Sequence, residues 1–271
     1  MEEKYERLKK ILKDAGSIAV AFSGGVDSTF LLKCAVDTLG VDKVIAITAD
    51  SASFATDEKA DALKFAADNG IRHLLIDSDE MSDPEYVKNP PDRCYICKKF
   101  TFDIVRKAAA DAGITYLADG SNVDDAGDYR PGMRALKEMK VASPLREAGL
   151  TKDDIRALSK RLGLPTWDKP AYACLASRIP YGETITKEKL DMIQKGERYL
   201  RQLGFAGCRV RLHGDCARIE VVRKDIPKFF DCEFMDTVYN YFKDIGFTYV
   251  SLDMYGYRTG SMNDVLRKNG G

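Results

Sequence analysis

Short apolar runs alternate with helical patterns along the first half of the chain, a rhythm that predicts a parallel α/β sheet. Ile18-Ala-Val-Ala-Phe22 reads as a buried strand, followed by a helix over 27–39. Residues 44–49 form a second strand, 56–69 a helix closed by Gly70, and 71–77 a third strand. After a polar, proline-rich connection over 78–92, the pattern predicts a helix over 98–112 and a strand over 115–119. A helix over 151–162 opens on Thr151 as N-cap with Asp154 three residues on, nearly a capping box, and Gly163 closes it.

The pattern changes after Cys174. A helix is predicted over 187–203, a hairpin from 207–213 and 216–222 around Gly214-Asp215, a helix over 236–245 and a last strand over 247–252. This places a boundary near residue 180. Residues 1–180 form a nucleotide-binding α/β domain and 181–271 a smaller α+β domain for substrate binding and oligomerisation, with a cleft beside Cys174. There is no internal repeat and no low-complexity segment.

Composition narrows the classes. The 271 residues carry 42 basic and 42 acidic side chains, 45% hydrophobic and 31% charged overall, an ordinary globular balance. Neither net basic charge nor a Lys/Arg-dense stretch points to nucleic acid. No apolar run approaches the about 20 residues that span a bilayer. MEEKYERLKKILKDAG is a charged amphipathic helix without the apolar centre of a signal peptide, so a cytoplasmic location is expected. Seven cysteines, an odd number, argue against a secreted disulfide framework and leave thiols, metal ligands or catalysts.

The strongest chemical signal is Ser23-Gly24-Gly25-Val26-Asp27-Ser28, between an apolar strand and a helix. Two glycines let the backbone turn its N–H groups onto an anion, and the helix N-terminus adds partial positive charge. Ser23 and Ser28 supply hydroxyls. Asp27 repels a bare phosphate, so its expected use is to hold Mg²⁺ that bridges phosphates. No Lys-Ser/Thr follows the glycines, so this is no Walker A loop, and it is no G-x-G-x-x-G fingerprint either. Adenosine is expected along the carboxyl ends of the strands, near Thr48, Asp50 and Ser51. A glycine-rich turn without a ligand is the plain alternative.

Further motifs follow in order: NPPDRCYICKK (89–99), LADGSNVDDAGDYRPGMRA (117–135), SPLREAGLTKDDIRALSKRLGLPTWDKP (143–170), ACLASRIPYGE (173–183), CRVRLHGDCARIEV (208–221) and GYRTGSMN (256–263). The SGGxDS loop resembles the PP-loop of ATP pyrophosphatases, which GMP synthetase, NAD synthetase and tRNA thiolation enzymes share. With the later blocks, residues from about 15 to 265 resemble the LarE family of ATP-dependent sulfur transferases. These mature the nickel-pincer nucleotide cofactor of lactate racemase. The resemblance implies a HUP/PP-loop ATP pyrophosphatase domain, ATP and Mg²⁺ as cofactors, a hexamer, and a downstream nickel-insertion protein as partner. It also implies the reaction. A carboxylate of a pyridinium dicarboxylate mononucleotide is adenylated, a cysteine displaces AMP, and cleavage of its Cβ–S bond leaves a thiocarboxylate and dehydroalanine. The residue matching that cysteine is Cys174.

The residues can be weighed on their own terms. Cys174 lies on a loop, with Arg178 and Lys169 available to favour a thiolate, against a plain packing role. Glu197 falls on the apolar stripe of its helix with Leu190, Ile193, Leu200 and Leu203. An acid there is either a buried ion pair or a base for the Cys174 α-proton. Strand alternation sets Arg209 and Arg211 on one face, a fork for phosphate, with Arg218 and Glu220 in support. The resemblance gives that phosphate role to Arg209, Arg211 and Arg258; an exposed strand face is the alternative.

Two further readings stay open. Cys94-x-x-Cys97, with Cys208 and Cys216, offers ligands for an iron–sulfur cluster, which some LarE-like proteins use to carry sulfide. Cys34 and Cys232 read as packing. Asp119, Asn122, Asp124, Asp125 and Asp128 form an acidic loop, either solvated or a lid bordering the Mg²⁺. A tRNA thiolation enzyme would need a basic docking surface, a glutamine-fed amination a glutaminase domain, and a universal-stress-type sensor would lack SGGxDS.

Overall fold

The computed structural model describes residues 1–127, 131–170, 174–258 and 260–263. In chain order it contains α1 (Glu2–Ala15), β1 (Ile18–Ala21), α2 (Val26–Leu39), β2 (Val44–Asp50), α3 (Thr56–Asp68) and β3 (Arg72–Asp77). There follow α4 (Pro84–Val87), α5 (Arg93–Asp111), β4 (Leu117–Ala118), α6 (Pro131–Glu138), α7 (Pro144–Glu147) and α8 (Lys152–Arg161). The rest is α9 (Lys187–Gln202), β5 (Cys208–His213), β6 (Cys216–Val221), α10 (Cys232–Asp244) and β7 (Tyr249–Leu252). Two compact units form, Met1–Glu80 with Asp92–Tyr172, and Met81–Pro91 with Ala173–Gly271.

The first unit is built on a parallel sheet of order β3-β2-β1-β4. Its strands read as near-continuous apolar runs because both faces are covered. Val20, Val44 and Ala46 pack with Leu8 and Leu12 of α1, Phe30 and Leu31 of α2, and Ile155 and Leu158 of α8. Ala19, Ile45 and Ile47 face the other way, onto Phe102, Val105 and Ala109 of α5 and Leu136 of α6. Chain order reverses between β1 and β4, which opens the usual ligand crevice at their carboxyl ends.

Helix ends follow local chemistry. At α8, Thr151 Oγ accepts from the Asp154 N–H and Asp154 Oδ2 from the Thr151 N–H, a complete capping box. α6 and α7 escape a reading by period because they are short, yet each starts on proline at a first-turn position that needs no N–H. α5 starts at Arg93 and α10 at Cys232, earlier than the apolar period suggests; Asp231 caps α10 through the Phe234 N–H. β4 is short, paired with β1 and joined by a bridge from Ala118 to Ala142.

The second unit carries the antiparallel pair β5–β6, with β7 added parallel to β6. Register puts Cys208, Val210, Leu212, Ala217, Ile219 and Val221 on one face; Arg209, Arg211, His213, Cys216, Arg218 and Glu220 share the other. Residues 81–91 are tied into this unit. Buried Asn89, in the left-handed region at φ 56°, donates through Nδ2 to the carbonyls of Ile179 (3.3 Å) and Pro180 (2.7 Å). Gly182 N–H in turn donates to Asn89 O, and Ile185 N–H to Val87 O. Among the described residues no helix is long and apolar enough to cross a membrane.

Candidate active site

The loop after β1 has the geometry of an anion cradle. Gly24 takes φ 67°, and a Cβ there would come within 3.1 Å of Ala62 Cβ and 3.2 Å of Glu58 O. Only glycine fits that turn. Gly25 is the N-cap of α2. Ser28 Oγ donates to Gly25 O (3.3 Å) and lies 3.1 Å from Ser23 Oγ, closing the loop on itself. From β4, Gly120 approaches so closely that a Cβ would meet Ser28 N at 3.0 Å.

Asp27 is not alone. Lys152 Nζ stands 2.6 Å from its Oδ2, and Asn122 Nδ2 3.4 Å from Oδ1. Lys169 Nζ reaches Gly24 O (3.4 Å) and Asp61 Oδ2 (2.9 Å). Sequence reading missed Lys152 altogether, for it sits on the first turn of α8, 125 residues from Asp27. Lys169, read as a neighbour of the thiol, holds the phosphate loop.

Thr48 is buried under the loop, donating to Phe22 O (2.6 Å) and accepting from His73 Nε2 (2.8 Å). Burial lowers the His73 pKa, in keeping with a neutral ring. Asp50 pairs with Lys59 (2.8 Å), and Ser51 Oγ contacts Ser53 Oγ (3.1 Å), which donates to buried Glu80 (2.9 Å). In the acidic loop, Asp119 is buried and accepts from Ser121 and from Ser143 (2.7 Å). Asp124 accepts the Lys152 N–H and Asp125 the Asn122 N–H, so both cap backbone; Asp128 lies outside the described residues.

In the second unit Cys174 is exposed and opens a 3₁₀ turn over Leu175–Arg178. Its carbonyl accepts from the Ser177 N–H (2.9 Å) and from Arg178 Nη1 (3.0 Å). Arg178 and Glu197, 1% and 2% exposed, form a two-pronged pair at 2.8 and 3.0 Å. Burial pushes the Glu197 carboxyl up, but Arg178, then Arg209 and the Val210 N–H, outweigh it and hold it below its ordinary value. Of the two sequence readings of Glu197, the structure supplies the ion pair.

Arg209 and Arg211 share the polar strand face but are themselves buried. Arg211 pairs with Glu220 (3.1 Å) and donates to Ser177 O (3.0 Å) and Ser261 Oγ (3.2 Å). Arg218 reaches the other oxygen of Glu220 (3.0 Å). Arg209 lies over Tyr257, 5.0 Å from its centroid, and exposed Arg258 over Tyr255 at 5.1 Å. Burial pulls the Arg211 pKa down, and Arg178 and Arg209 add to this against Glu220. One electrostatic neighbourhood therefore gathers several guanidiniums, the setting in which an anion is welcome.

The cysteines separate. Cys208 is buried on the apolar face, its thiol pushed up to about 11, chiefly by burial. Cys216 lies on the opposite face and at the other end of the hairpin, about 17 Å of strand away. They do not share a cluster. Cys94 and Cys97 leave one side of the first turns of α5. Among the described residues no three His, Cys, Asp or Glu side chains are grouped to hold a metal ion. Cys34 is buried with its thiol pushed up to about 12, consistent with packing, whereas Cys232 is exposed.

Comparison with known proteins narrows the chemistry. Residues 1–87 match the family described as NAD synthase. Uncharacterized protein slr1717 of Synechocystis is 44% identical over 99% of this chain and 100% of its own length. A glutamine-hydrolyzing GMP synthase of Aeropyrum pernix is 27% identical over 74% of this chain and 42% of its own. Pyridinium-3,5-bisthiocarboxylic acid mononucleotide synthase of Lactiplantibacillus plantarum is 41% identical over 98% of this chain and 95% of its own. With that likeness over nearly the whole length, and an SGGxDS cradle at the head of a parallel sheet, the chain belongs to the LarE family of PP-loop, ATP-dependent sulfur transferases.

Proposed function

We propose that the chain adenylates a carboxylate of a pyridinium dicarboxylate mononucleotide and converts it to a thiocarboxylate with sulfur from Cys174. The observation that carries this reading is the pairing of a glycine cradle at β1 with an arginine-rich strand face in one chain. In the first step a carboxylate oxygen attacks the α-phosphorus of ATP and pyrophosphate leaves. The Cys174 thiolate then attacks the acyl carbon, and AMP leaves with its electron pair. Loss of the Cys174 α-proton to a base lets the Cβ–S electrons move to sulfur, giving the thiocarboxylate and dehydroalanine.

Each group has a task in this scheme. Loop N–H groups and the Ser23 and Ser28 hydroxyls bind phosphate; Thr48, Asp50 and Ser51 border the nucleoside. Asp27, a partly exposed carboxylate beside the cradle, suits a hard cation and would hold Mg²⁺. When bound, Mg²⁺ neutralises phosphate charge. Arg209, Arg211 and Arg258 take the phosphate of the nucleotide substrate, and Arg218 with Glu220 braces Arg211. Glu197, with its carboxyl held ionised by Arg178, positions that arginine against the Cys174 carbonyl.

A second reading keeps the same adenylation and draws on Cys94 and Cys97 as ligands of an iron–sulfur cluster. The two side chains stand one helical turn apart on α5, but a cluster on three cysteines needs a third ligand, and among the described residues none is grouped with them. Either way the chain works as a homo-oligomer, a hexamer by family, and delivers its product to a nickel-insertion step.

Intact mass after incubation with ATP, Mg²⁺ and the dicarboxylate nucleotide tests the reading. Loss of the elements of hydrogen sulfide at Cys174, once per chain, is the expected result. Repeated turnover at unchanged mass in an iron-containing anaerobic preparation would select the cluster. Absence of pyrophosphate release would sink the adenylation itself.

A further inference from the structure

Past the carboxyl ends of β2 and β3 lies a buried acid that forms no ion pair among the described residues. β2 ends at Asp50 and β3 at Asp77, and the Ser78 N–H donates to the Asp50 carbonyl (2.8 Å), joining the two strand ends. Glu80 follows on a 3₁₀ turn and is 1% exposed. Its Oε1 accepts from Ser53 Oγ (2.9 Å), which lies 3.1 Å from Ser51 Oγ. Lys59 of α3 is committed to both oxygens of Asp50 (3.0 and 2.8 Å). Among the described residues Glu80 Oε2 and Ser78 Oγ have no hydrogen-bond partner, although both are buried.

A buried charge is paired or coordinates a metal ion, and one neutral hydroxyl does not meet that demand. The two orphaned oxygens belong to residues two apart on one connection and are not bonded to each other. One partner from outside the chain can serve both. A water molecule would bridge them but leave the carboxylate charge uncancelled. A cation does both tasks. The donor set selects its class, for one carboxylate among neutral hydroxyls becomes neutral with a single positive charge. Mg²⁺ suits such a place poorly, since it demands octahedral geometry and keeps several of its waters.

We propose that Glu80, with the hydroxyls of Ser53 and Ser78, holds an alkali-metal cation, potassium or sodium, and that this ion steadies the 51–53 turn. The Ser51–Ser53 contact links the ion to the residues that border the nucleoside. The cation site stands on the buried groups alone. Only its effect on ATP rests on the adenylation reading.

Thermal unfolding of the full chain tests the site, with tetramethylammonium chloride replaced stepwise by KCl or NaCl at constant ionic strength. The wild-type melting temperature should rise saturably by about 2–6 °C with at least one of the two salts. Glu80→Gln, neutral and of nearly the same shape, should lose that rise. Ser78→Ala should keep it but need about tenfold more salt. A wild-type melting temperature indifferent to the cation overturns the inference, and so does a rise that persists in Glu80→Gln. Should Glu80→Gln fail to fold, an unshifted titration of Ser78→Ala overturns it instead. Calorimetry should find ATP bound at least about threefold more tightly in the effective salt than in tetramethylammonium. Equal ATP affinities overturn the link to the 51–53 turn. A chain whose melting responds to the cation but which binds no ATP keeps the site and defeats the adenylation reading.

Discussion

Arg178 and Glu197 meet fork to fork in the interior of the second unit, with a further prong from Arg178 to the carbonyl of Cys174. Removing one side strands the other as a buried, uncompensated charge. Glu197→Ala is therefore expected to lower stability by about 3–5 kcal/mol in urea unfolding. Glu197→Gln should also slow sulfur transfer more than pyrophosphate release. Equal loss of both activities would show that the pair only supports folding.

The same pair sets an acid limit. Glu197 has a folded-state pKa below its unfolded value, because Arg178 outweighs the burial penalty. Its contribution to stability is full above the unfolded carboxylate value, near pH 4.3, and is lost as pH falls through the lower folded value. Unfolding midpoints measured between pH 7 and pH 3 should fall more steeply for the wild type than for Glu197→Gln. Parallel curves would disprove the linkage.

Cys174→Ser should divide the reaction. Exposed and outside the phosphate loop, this thiol is not needed to form the acyl adenylate. Pyrophosphate release from ATP with the dicarboxylate nucleotide should persist for one turnover, with no thiocarboxylate in the product. A Cys174→Ser chain that still makes thiocarboxylate would move sulfur donation elsewhere, with Cys94 and Cys97 next in line.

Gly24→Ala addresses the cradle. The left-handed φ of 67° costs a residue with a Cβ about 1–3 kcal/mol, and the new carbon would crowd Ala62 and Glu58. Loss of ATP affinity by more than about tenfold is expected, with a fall in melting temperature. Retained affinity for ATP would mean that phosphate is not bound by this turn.

Arg258→Ala tests the substrate end. The side chain is exposed and stacked on Tyr255, so its removal should leave stability nearly unchanged. KM for the dicarboxylate nucleotide should rise about tenfold or more while KM for ATP stays constant. A rise in both would place Arg258 outside substrate phosphate binding.

Local pattern and distant partnership were unequally visible in the sequence. β1, the glycine loop and α2 could be read directly, because an apolar run and a left-handed turn are written in adjacent residues. The Glu197 anomaly on an apolar stripe announced a buried partner, but Arg178 sits on a loop without period. Lys152 could not be found for a similar reason: N1 of a well-capped helix looks like any solvated lysine until the fold brings it to Asp27. The inward side of Cys208 did follow from strand alternation, since it is the neighbour of Arg209 on one strand and must point the other way. Residues 84–87, a helix of one turn, offered too few positions for any period to register.

Asn89 and its bonds to 179, 180 and 182 have a consequence for how this chain can be divided. The backbone passes from one compact unit to the other after Glu80, again after Pro91, and a third time after Tyr172. No single cut yields either half intact. A fragment beginning at residue 173 would lack the 81–91 strap and its hydrogen bonds to 179, 180, 182 and 185. Neither compact unit is one continuous stretch of a sequence interleaved in this way, so end-to-end fusion of two ready-made pieces does not assemble it.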